Sequence, residues 1–543
     1  MNNLIAHVPV PRNEPVLGYS PKSSETKGLK DQLSVMSSTE IEIPLIINGR
    51  EVKTGNVGLC VLPHNHRHRI GSYHKAGVKE VNAAIEGAEH SYREWSAMPA
   101  SDRQAIFLKA AELLATKYRP ILNAATMLGQ SKTCHQAEID SACELIDFFR
   151  FNASFQQSLY SMQPESASRQ WNRMEYRPLE GFVFAVTPFN FTSIAGNLPS
   201  APALMGNVVL WKPASNSVYS AYYIMKLLEE SGLPPGVIQF LPGSGEVVGE
   251  PILRHKELAG IHFTGSTGTF QAMWKTIGAN IGGYKSYPRI VGETGGKDFI
   301  FAHPSADLQA LVTAIVRGAF EYQGQKCSAA SRAYLPKSCW ENVKDMLIGE
   351  VQKITMGDVT DFRNFMAAVI DKKSFENIRS YIEEARKSPD AVILAGGECD
   401  DEIGYFVEPT VIEVKKPHYR TMCEEIFGPV ISLFVYDDNR YEETLKLCDE
   451  TSPYALTGAI FAQDRRAIEV ATSKLAHSAG NFYINNKPTG AVVGQQPFGG
   501  ARASGTNDKA GSLFNLLRWV SMRTVSETFA PPLSFKYPFM EDS

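Results

Sequence analysis

Little in this 543-residue chain points to a metal, a disulfide framework, a membrane or a nucleic acid. Its 8 cysteines are scattered, without a CxxC motif or a tight Cys/His cluster, which argues against a structural zinc site and a disulfide-stapled secreted domain. A reducing, intracellular compartment fits better. No apolar run has the ~18 residues of a membrane span. A formal charge of −4 without a basic cluster offers no surface for nucleic acid. We therefore expect a small-molecule substrate, with no metal, membrane or nucleic-acid partner.

The greater part of the chain has the pattern of an α/β protein. Apolar residues at three- and four-residue spacing predict helices over 78–98, 101–117 and 136–155. From Gly181 onward, short apolar strands alternate with helices, as a parallel sheet covered on both faces requires. The alternation resumes after residue 298, so we expect two doubly wound lobes. A chain of this length also exceeds a single hydrophobic core.

Two segments fall outside this pattern. Residues 1–40 are polar and contain several Pro and Ser residues, without the apolar core of a secretory signal or the Arg-rich character of a strong mitochondrial presequence. We expect them to form an extended arm on the protein surface. Residues 163–177 interrupt the first lobe and are predicted to form a protruding hairpin, with which the alternating residues 518–528 could pair.

The candidate chemistry begins with Cys327 and Glu293. Cys327 follows a glycine-containing turn in Phe320–Arg332, and Glu293 lies upstream in the segment GETGGK. A thiolate can capture a carbonyl carbon, and a nearby carboxylate can then activate water to release the product. A lone cysteine is more often simply buried, so other motifs must support this interpretation.

Further candidates lie at predicted strand ends, where open α/β sheets bind ligands. Asn190 could donate to an oxyanion, although in isolation a turn-forming Asn is the more common explanation. Lys212 directly follows the strand 208–211, and the small residues Thr264–Gly268 could bring backbone N–H groups close to a phosphate. Glu425 could reach a ribose hydroxyl. The simpler explanations are a solvated strand end for Lys212, an ordinary strand-to-helix turn for Thr264–Gly268 and a surface carboxylate for Glu425.

The order of seven short segments identifies a family. They are TPFNF, WKPAS, FTGSTG, ETGGK, GQKCSAASR, EEIFGP and QQPFGG. On these segments, the chain resembles the aldehyde dehydrogenase superfamily from about Leu45 to Glu527. The stretches 144–152, 203–212 and 494–508 are most similar to the branch that oxidises glutamate γ-semialdehyde.

The resemblance implies an α/β aldehyde dehydrogenase fold, with a Rossmann-like NAD-binding lobe, a second α/β catalytic lobe and a small β oligomerisation element. The implied boundaries are 1–40 for the arm, 41–162 and 178–298 for the NAD-binding domain, 299–511 for the catalytic domain, and 163–177 with 512–543 for the oligomerisation hairpin and tail. Pairing of hairpin and tail across a two-fold axis implies a homodimer or a larger homo-oligomer.

The resemblance also implies residue roles. Cys327 would attack the aldehyde carbon to form a thiohemiacetal, while Asn190 and the Cys327 backbone N–H hold the oxyanion. After hydride transfer to NAD, Glu293 would activate the water that hydrolyses the thioester. The residues implied to bind NAD are Thr187, Lys212, Gly265, Ser266, Thr267, Gly268, Thr269 and Glu425.

The implied substrate is glutamate γ-semialdehyde, which is oxidised to glutamate in the second step of proline degradation. Ser328 and the loop residues Gly490 and Ala491 would hold its α-carboxylate, although Ala491 replaces the serine of the family and removes one hydroxyl contact. Glu144 would face the amino end, or is a helix-surface carboxylate. Ser215 stands where many NAD-specific relatives carry an acid, so repulsion of the NADP 2′-phosphate is weakened and NADP stays open as a second cofactor.

Other functions stay open at this point. The same Cys327 and Glu293 would serve another semialdehyde dehydrogenase, for example one acting on succinate semialdehyde. A Cys–His hydrolase would need a catalytic histidine in the motif segments, where only His262 falls near one, and a non-catalytic protein could retain the fold. Eukaryotic members of the family imply the mitochondrial matrix, and Asn13–Leu17 resembles the start of their processed form, but the cytoplasm also stays open.

Overall fold

The computed structural model describes residues 7–540, so residues 1–6 of the predicted arm and 541–543 of the predicted tail lie outside the described residues. The helices of the first part are α1 (Ser24–Ser37), α2 (Val78–Ala97), α3 (Ala100–Leu113), α4 (Arg119–Gln130), α5 (Cys134–Ala137), α6 (Leu145–Tyr160), α7 (Thr192–Leu204), α8 (Val218–Ser231), α9 (Gly245–Leu253) and α10 (Thr267–Ala279). The later helices are α11 (Leu308–Phe320), α12 (Lys337–Val351), α13 (Lys372–Lys387), α14 (Arg420–Cys423), α15 (Tyr441–Glu450), α16 (Arg465–Lys474) and α17 (Leu513–Leu517).

The strands begin with β1 (Ile41–Ile43), β2 (Leu45–Ile47), β3 (Arg50–Val52), β4 (Val57–Leu62), β5 (Asn65–His74), β6 (Gln170–Pro178), β7 (Phe182–Val186), β8 (Val208–Lys212), β9 (Ile238–Phe240), β10 (Leu258–Thr264) and β11 (Arg289–Glu293). They continue with β12 (Asp298–Ala302), β13 (Ala330–Pro336), β14 (Ala391–Ala395), β15 (Cys399–Asp400), β16 (Phe406–Val407), β17 (Thr410–Val414), β18 (Val430–Tyr436), β19 (Tyr454–Ala455), β20 (Thr457–Phe461), β21 (Asn481–Ile484), β22 (Ala501–Arg502) and β23 (Val520–Thr528).

The first large sheet has the strand order β11-β10-β7-β8-β9-β2-β3. The strands from β11 to β9 are parallel, and β2 and β3 extend the sheet in antiparallel fashion. Every residue of β8 and β10 is buried, because helices cover both faces, and this explains their uninterrupted apolar runs. The chain runs from β7 outward to β8 and β9, and then returns to place β10 on the other side of β7. A crevice for a ligand therefore opens between β7 and β10.

The second large sheet has the order β14-β17-β18-β13-β12-β20-β21, in which only β14 runs antiparallel to its neighbour. The interior strand β12, next to the central strand β13, shows how the two faces of this sheet are covered. Phe299 and Phe301 join one hydrophobic cluster, while Ile300 and Ala302 join another on the opposite face. The predicted α/β architecture with two doubly wound sheets and the fold class are thus confirmed.

The helix α7 is absent from the sequence predictions. Pro199 and Pro202 lie inside it, and proline normally argues against a helix interior. The helix persists because it is buried along its length, where its packing outweighs the local cost of the two prolines.

The expected extended arm is wrong for residues 24–37, which form α1. Ser23 caps this helix by accepting a hydrogen bond from the Thr26 N–H at 3.3 Å. Leu29, Leu33 and Met36 are buried against α4, so a narrow apolar stripe holds the helix in an otherwise polar segment. Residues 7–20 contain neither helix nor strand, as expected for an arm.

Residues 163–177 do not form a hairpin by themselves, but the expected pairing with residues 518–528 is present. The strand β6 pairs antiparallel with β23 near the C-terminus, in a continuous register from Gln170–Thr528 to Pro178–Val520. Both strands are nine residues long, and no local turn joins them, because they come from distant parts of the sequence. Within residues 7–540, no helix has the length and apolar character of a membrane span, and no group of three or more His, Cys, Asp and Glu side chains is arranged to hold a metal ion.

Candidate active site

Six of the predicted residues line one cavity of about 480 Å³. They are Glu144, Glu293, Cys327, Ser328, Gly490 and Ala491. The residue directly before α6, strand β11, the loop before β13 and the loop after β21 supply them, so both lobes contribute to the cavity. Residues that lie far apart in the sequence are thus brought together around one cavity.

Cys327 lies in a tightly fixed loop between α11 and β13. The preceding residues Tyr322 and Gln323 adopt left-handed backbone conformations, with φ of 51° and 54°. The Gln323 side-chain amide holds this turn by donating to the carbonyls of Ser131 at 3.0 Å and Ala368 at 2.7 Å. On the other side, a Cβ on Gly296 would lie 2.2 Å from the Cys327 carbonyl oxygen, so only glycine allows this approach.

The surroundings of Cys327 favour the neutral thiol over the thiolate. Burial raises its pKa most, and the nearby carboxylates of Asp298, Glu293 and Glu425 raise it further. The Ser328 backbone N–H opposes this shift. A thiolate therefore forms only when a base removes the proton or a positive charge arrives nearby.

Glu293 ends β11 and is the base candidate. Its Oε2 accepts a hydrogen bond from the Gly500 N–H at 3.0 Å. Burial raises the pKa of this carboxyl well above its ordinary value, while Gly500 and Lys509 oppose the shift. A carboxyl with a raised pKa is a stronger base when ionised, as general base catalysis near neutral pH requires.

Asn190 follows β7 and is buried close to the nucleophile. Its Nδ2 donates to the Gln325 carbonyl at 3.1 Å, in the same loop as Cys327. One N–H of the side-chain amide is thereby used to fix its position. A side-chain amide carries two N–H groups, so a second donor remains besides the one that fixes Asn190, although Asn190 is not among the residues that line the cavity.

The eight residues predicted to bind the cofactor do not line this cavity. Thr187, Lys212 and Gly265 lie at the carboxyl ends of β7, β8 and β10. Thr187 accepts from Trp211 Nε1 at 3.0 Å, and Lys212 Nζ donates to the Pro213 carbonyl at 3.1 Å. Burial lowers the pKa of Lys212 to about 8. Ser266 caps α10 by accepting from the Thr269 N–H at 3.3 Å, and Thr267 Oγ1 lies 3.3 Å from the Tyr454 hydroxyl.

Around the start of α10, Gly265 donates its N–H to the Glu293 carbonyl at 3.2 Å, and a Cβ on Gly268 would meet no atom within 4 Å. Glu425 accepts from the Gly296 N–H at 2.9 Å, and burial raises its pKa to about 7. Because Gly296 also touches the Cys327 carbonyl, this contact links the cofactor residues to the nucleophile.

A cationic cluster beside the nucleophile was missed by the sequence analysis. Lys326 and Lys487 both line the cavity, and both donate to Glu321, at 3.1 Å and 3.0 Å. Although burial opposes it, their charges lower the pKa of Glu321 to about 2. Ser328 Oγ lies 2.9 Å from Thr489 Oγ1, and Gly490 has a φ of 94°. Lys326 was visible next to Cys327, but nothing local signals that Lys487 pairs with Glu321.

Glu144 belongs to a second network that the sequence analysis missed. Its carboxylate accepts from Ser193 Oγ at 2.8 Å, and burial together with the Asp140 charge raises its pKa to about 8. Asp140 in turn accepts from Lys132 Nζ at 2.6 Å and from the Thr192 and Ser193 N–H groups at 3.0 Å and 2.9 Å. Asp140 thus caps α7 below the cavity.

Several known proteins are similar to this chain in sequence and in structure. A model of the aldehyde dehydrogenase family matches residues 54–525. A Dictyostelium discoideum protein named mitochondrial Δ1-pyrroline-5-carboxylate dehydrogenase is 55% identical over 540 residues, which are 99% of this chain and 97% of that protein. A Homo sapiens protein with the same name is 49% identical over 530 residues, which are 97% of this chain and 94% of that protein. A crystal structure of the Δ-pyrroline-5-carboxylate dehydrogenase from Mycobacterium tuberculosis bound with NAD is 50% identical, with a TM-score of 0.97 and coverage of 100% of both chains.

Proposed function

Because the chain belongs to the aldehyde dehydrogenase family, we propose that it oxidises L-glutamate γ-semialdehyde, the hydrolysed form of Δ1-pyrroline-5-carboxylate, to L-glutamate with NAD. The convergence of Cys327, Glu293, Ser328 and the loop Gly490–Ala491 on one cavity carries this proposal. The names of the relatives favour this substrate over succinate semialdehyde, which was the alternative from sequence.

The crevice between β7 and β10 fits NAD. The open space at Gly268 leaves the N-terminus of α10 accessible to a pyrophosphate, and small residues precede it. Lys212 uses one N–H on the Pro213 carbonyl and keeps two donors for adenosine ribose hydroxyls. Glu425 would hold the nicotinamide ribose, and Thr187 would line the crevice. NAD bound there supplies the acceptor for the hydride that leaves the substrate carbon.

The protein residues carry the covalent steps. Glu293, as a carboxylate, takes the thiol proton of Cys327, and the sulfur bonds to the aldehyde carbon. The oxyanion of the thiohemiacetal accepts hydrogen bonds from Asn190 Nδ2 and the Cys327 N–H, and Glu293 releases its proton to solvent before the second step. Loss of hydride converts this adduct to a thioester on Cys327. Glu293 then takes a proton from water, the hydroxide adds to the thioester carbon, and the thiolate leaves with glutamate as product.

The remaining side chains of the cavity match a zwitterionic amino-acid aldehyde. Ser328 and the N–H groups of Gly490 and Ala491 would bind the α-carboxylate, with Lys326 and Lys487 supplying positive charge nearby. Thr489 orients the Ser328 hydroxyl from the same loop. Glu144 would face the α-ammonium group. The missing hydroxyl at Ala491 weakens binding by about 0.5–1.5 kcal/mol, the net value of one hydrogen bond.

The test is steady-state NADH formation with Δ1-pyrroline-5-carboxylate, measured beside succinate semialdehyde. We expect kcat/KM to favour the former by at least about tenfold, because a site with paired polar groups rejects a substrate that leaves them unpaired. Equal kcat/KM for both aldehydes would refute the substrate assignment. The same assay with NADP in place of NAD measures how far Ser215 relaxes cofactor choice.

The domain boundaries, assembly and compartment are part of the proposal. We assign 41–162 with 178–298 to NAD binding and 299–511 to catalysis. The β6–β23 ribbon, with the exposed side chains of Trp171 and Met522, is the proposed contact of a homodimer. Light scattering after size exclusion distinguishes dimer from monomer. The mitochondrial names of the relatives favour the mitochondrion, which subcellular fractionation of source cells tests.

A further inference from the structure

The N-terminal arm forms part of the wall of the substrate cavity. Asn13, Glu14 and Val16 line the same cavity as Cys327 and Glu293. None of them belongs to a helix or strand, and none lies in a motif of the catalytic chemistry. The arm segment, which we define as residues 13–19, therefore takes part in the site although it is remote from it along the chain.

Ion pairs and hydrogen bonds fix one side of the arm segment to the first lobe. Glu14 accepts from Arg119 and Arg150, each at 2.6 Å, and its side chain is only 11% exposed. Further along, the Leu17 N–H and the Tyr19 hydroxyl both donate to Glu138 at 2.9 Å. Because these partners are largely buried, the arm segment is a fixed element of the fold and not a loose terminus.

Asn13 connects this fixed element to the substrate-binding loop. Its Nδ2 donates to the Val493 carbonyl and to Asp147 of α6, each at 2.8 Å. Its Oδ1 accepts from Gln495 Nε2 at 2.9 Å. The Glu14 N–H adds a bond of 2.7 Å to Asp147. Val493 and Gln495 close the loop that begins with Gly490, so one asparagine joins α6, the arm segment and this loop.

We propose that Asn13 is a positioning residue that holds the 490–495 loop in the conformation that binds the substrate carboxylate. This inference rests on the proposed function, in which the N–H groups of Gly490 and Ala491 bind that carboxylate. Gly490, with a φ of 94°, gives the loop backbone freedom that must be lost on binding. Bonds from Asn13 remove part of that freedom in advance, and pre-ordering of this kind improves affinity without a new contact to the substrate.

The test is the variant Asn13→Ala in the full-length protein. We expect the KM for glutamate γ-semialdehyde to rise about tenfold and kcat to stay within about twofold, since the loss falls on substrate binding and not on the covalent steps. For propanal, which has no distal carboxylate, kcat/KM stays at the wild-type value. Inhibition by the product glutamate weakens by the same factor as the KM.

Asn280→Ala is the matched control, because Asn280 also donates from its side chain to a backbone carbonyl, that of Arg254, and does not line the cavity. Gln495→Ala removes one of the three Asn13 bonds from an exposed position and should raise the KM by about twofold to threefold. If Asn13→Ala does not fold, the KM of Gln495→Ala tests the inference in its place.

Two outcomes overturn the inference. One is an unchanged KM for glutamate γ-semialdehyde in Asn13→Ala or, where Asn13→Ala does not fold, in Gln495→Ala. The other is an equal loss of kcat/KM with propanal, which would indicate general damage to the active site. Failure of the wild-type protein to oxidise glutamate γ-semialdehyde is a separate result, and it would remove the proposed function along with the inference that rests on it.

Discussion

Replacement of Lys132 by methionine probes the buried network that supports the cavity floor. The side chains of Lys132 and Asp140 are both 0% exposed, and Nζ lies 2.6 Å from the carboxylate. The ammonium also lies 4.2 Å from the ring centre of Phe191 and 4.4 Å from that of Tyr322. Burial lowers the pKa of Lys132, while Asp140 opposes this shift. Methionine preserves the length of the side chain and removes its charge.

The expected loss in the free energy of unfolding depends on the hydrogen bonds that Asp140 retains. Removing one partner of a buried ion pair costs about 3–5 kcal/mol, because the other charge stays buried without compensation. Asp140 keeps its bonds to Thr192 and Ser193, and methionine packs favourably against the two aromatic rings. We therefore expect the lower end of the range, a loss of about 3 kcal/mol in the free energy of unfolding.

The assay is urea unfolding followed by circular dichroism and tryptophan fluorescence, with coincident transitions as the condition for a free energy. The double variant Lys132→Met/Asp140→Asn no longer buries an unpaired charge, so it should recover at least about 1 kcal/mol relative to Lys132→Met. Lys27→Met is the control, because Lys27 and its partner Asp31 are exposed, and its urea midpoint should not change.

Two results would refute this reasoning. A loss below about 1 kcal/mol in Lys132→Met would show that the cation does not compensate Asp140. A double variant less stable than Lys132→Met would show that the network is held by its hydrogen bonds and not by charge balance.

Four further predictions concern the residues of the active site. Asn190→Ala should lower kcat by about 10²–10³, and Cys327→Ala should abolish NADH formation while NAD still quenches tryptophan fluorescence. Burial raises the pKa of Glu293, and only the ionised carboxylate is a base, so kcat should fall as pH falls below that pKa. This acidic decline in kcat should vanish in Glu293→Gln. If the decline persists in that variant, Glu293 is not its source. Gly296→Ala should lose kcat, since its Cβ would lie 2.2 Å from the Cys327 carbonyl, whereas Gly349→Ala, with open space around it, should not.

The sequence was informative wherever a local pattern carries the signal. Apolar strands separated by helices predicted both parallel sheets, because burial on both faces demands such runs. The ordered motifs identified the family and singled out Cys327, Glu293 and Asn190. The predictions that were wrong came from weak local signals, such as the helix α1 with its three buried apolar side chains, or from residues that usually oppose a helix, such as Pro199 and Pro202 in α7.

The composition of the cavity wall was decided by the tertiary structure alone. Asn13 and Val493 lie 480 positions apart, and Lys487 and Glu321 lie 166 positions apart, yet each pair is in direct contact. Hydrophobic periodicity and turn residues report on neighbours within a few positions, so they carry no information about such pairs. The sequence by itself was enough to predict the two α/β sheets and the candidate reacting residues. Only the packing of the arm and the two lobes determined which charges and amides line the cavity, because long-range contacts exist only after the chain has folded.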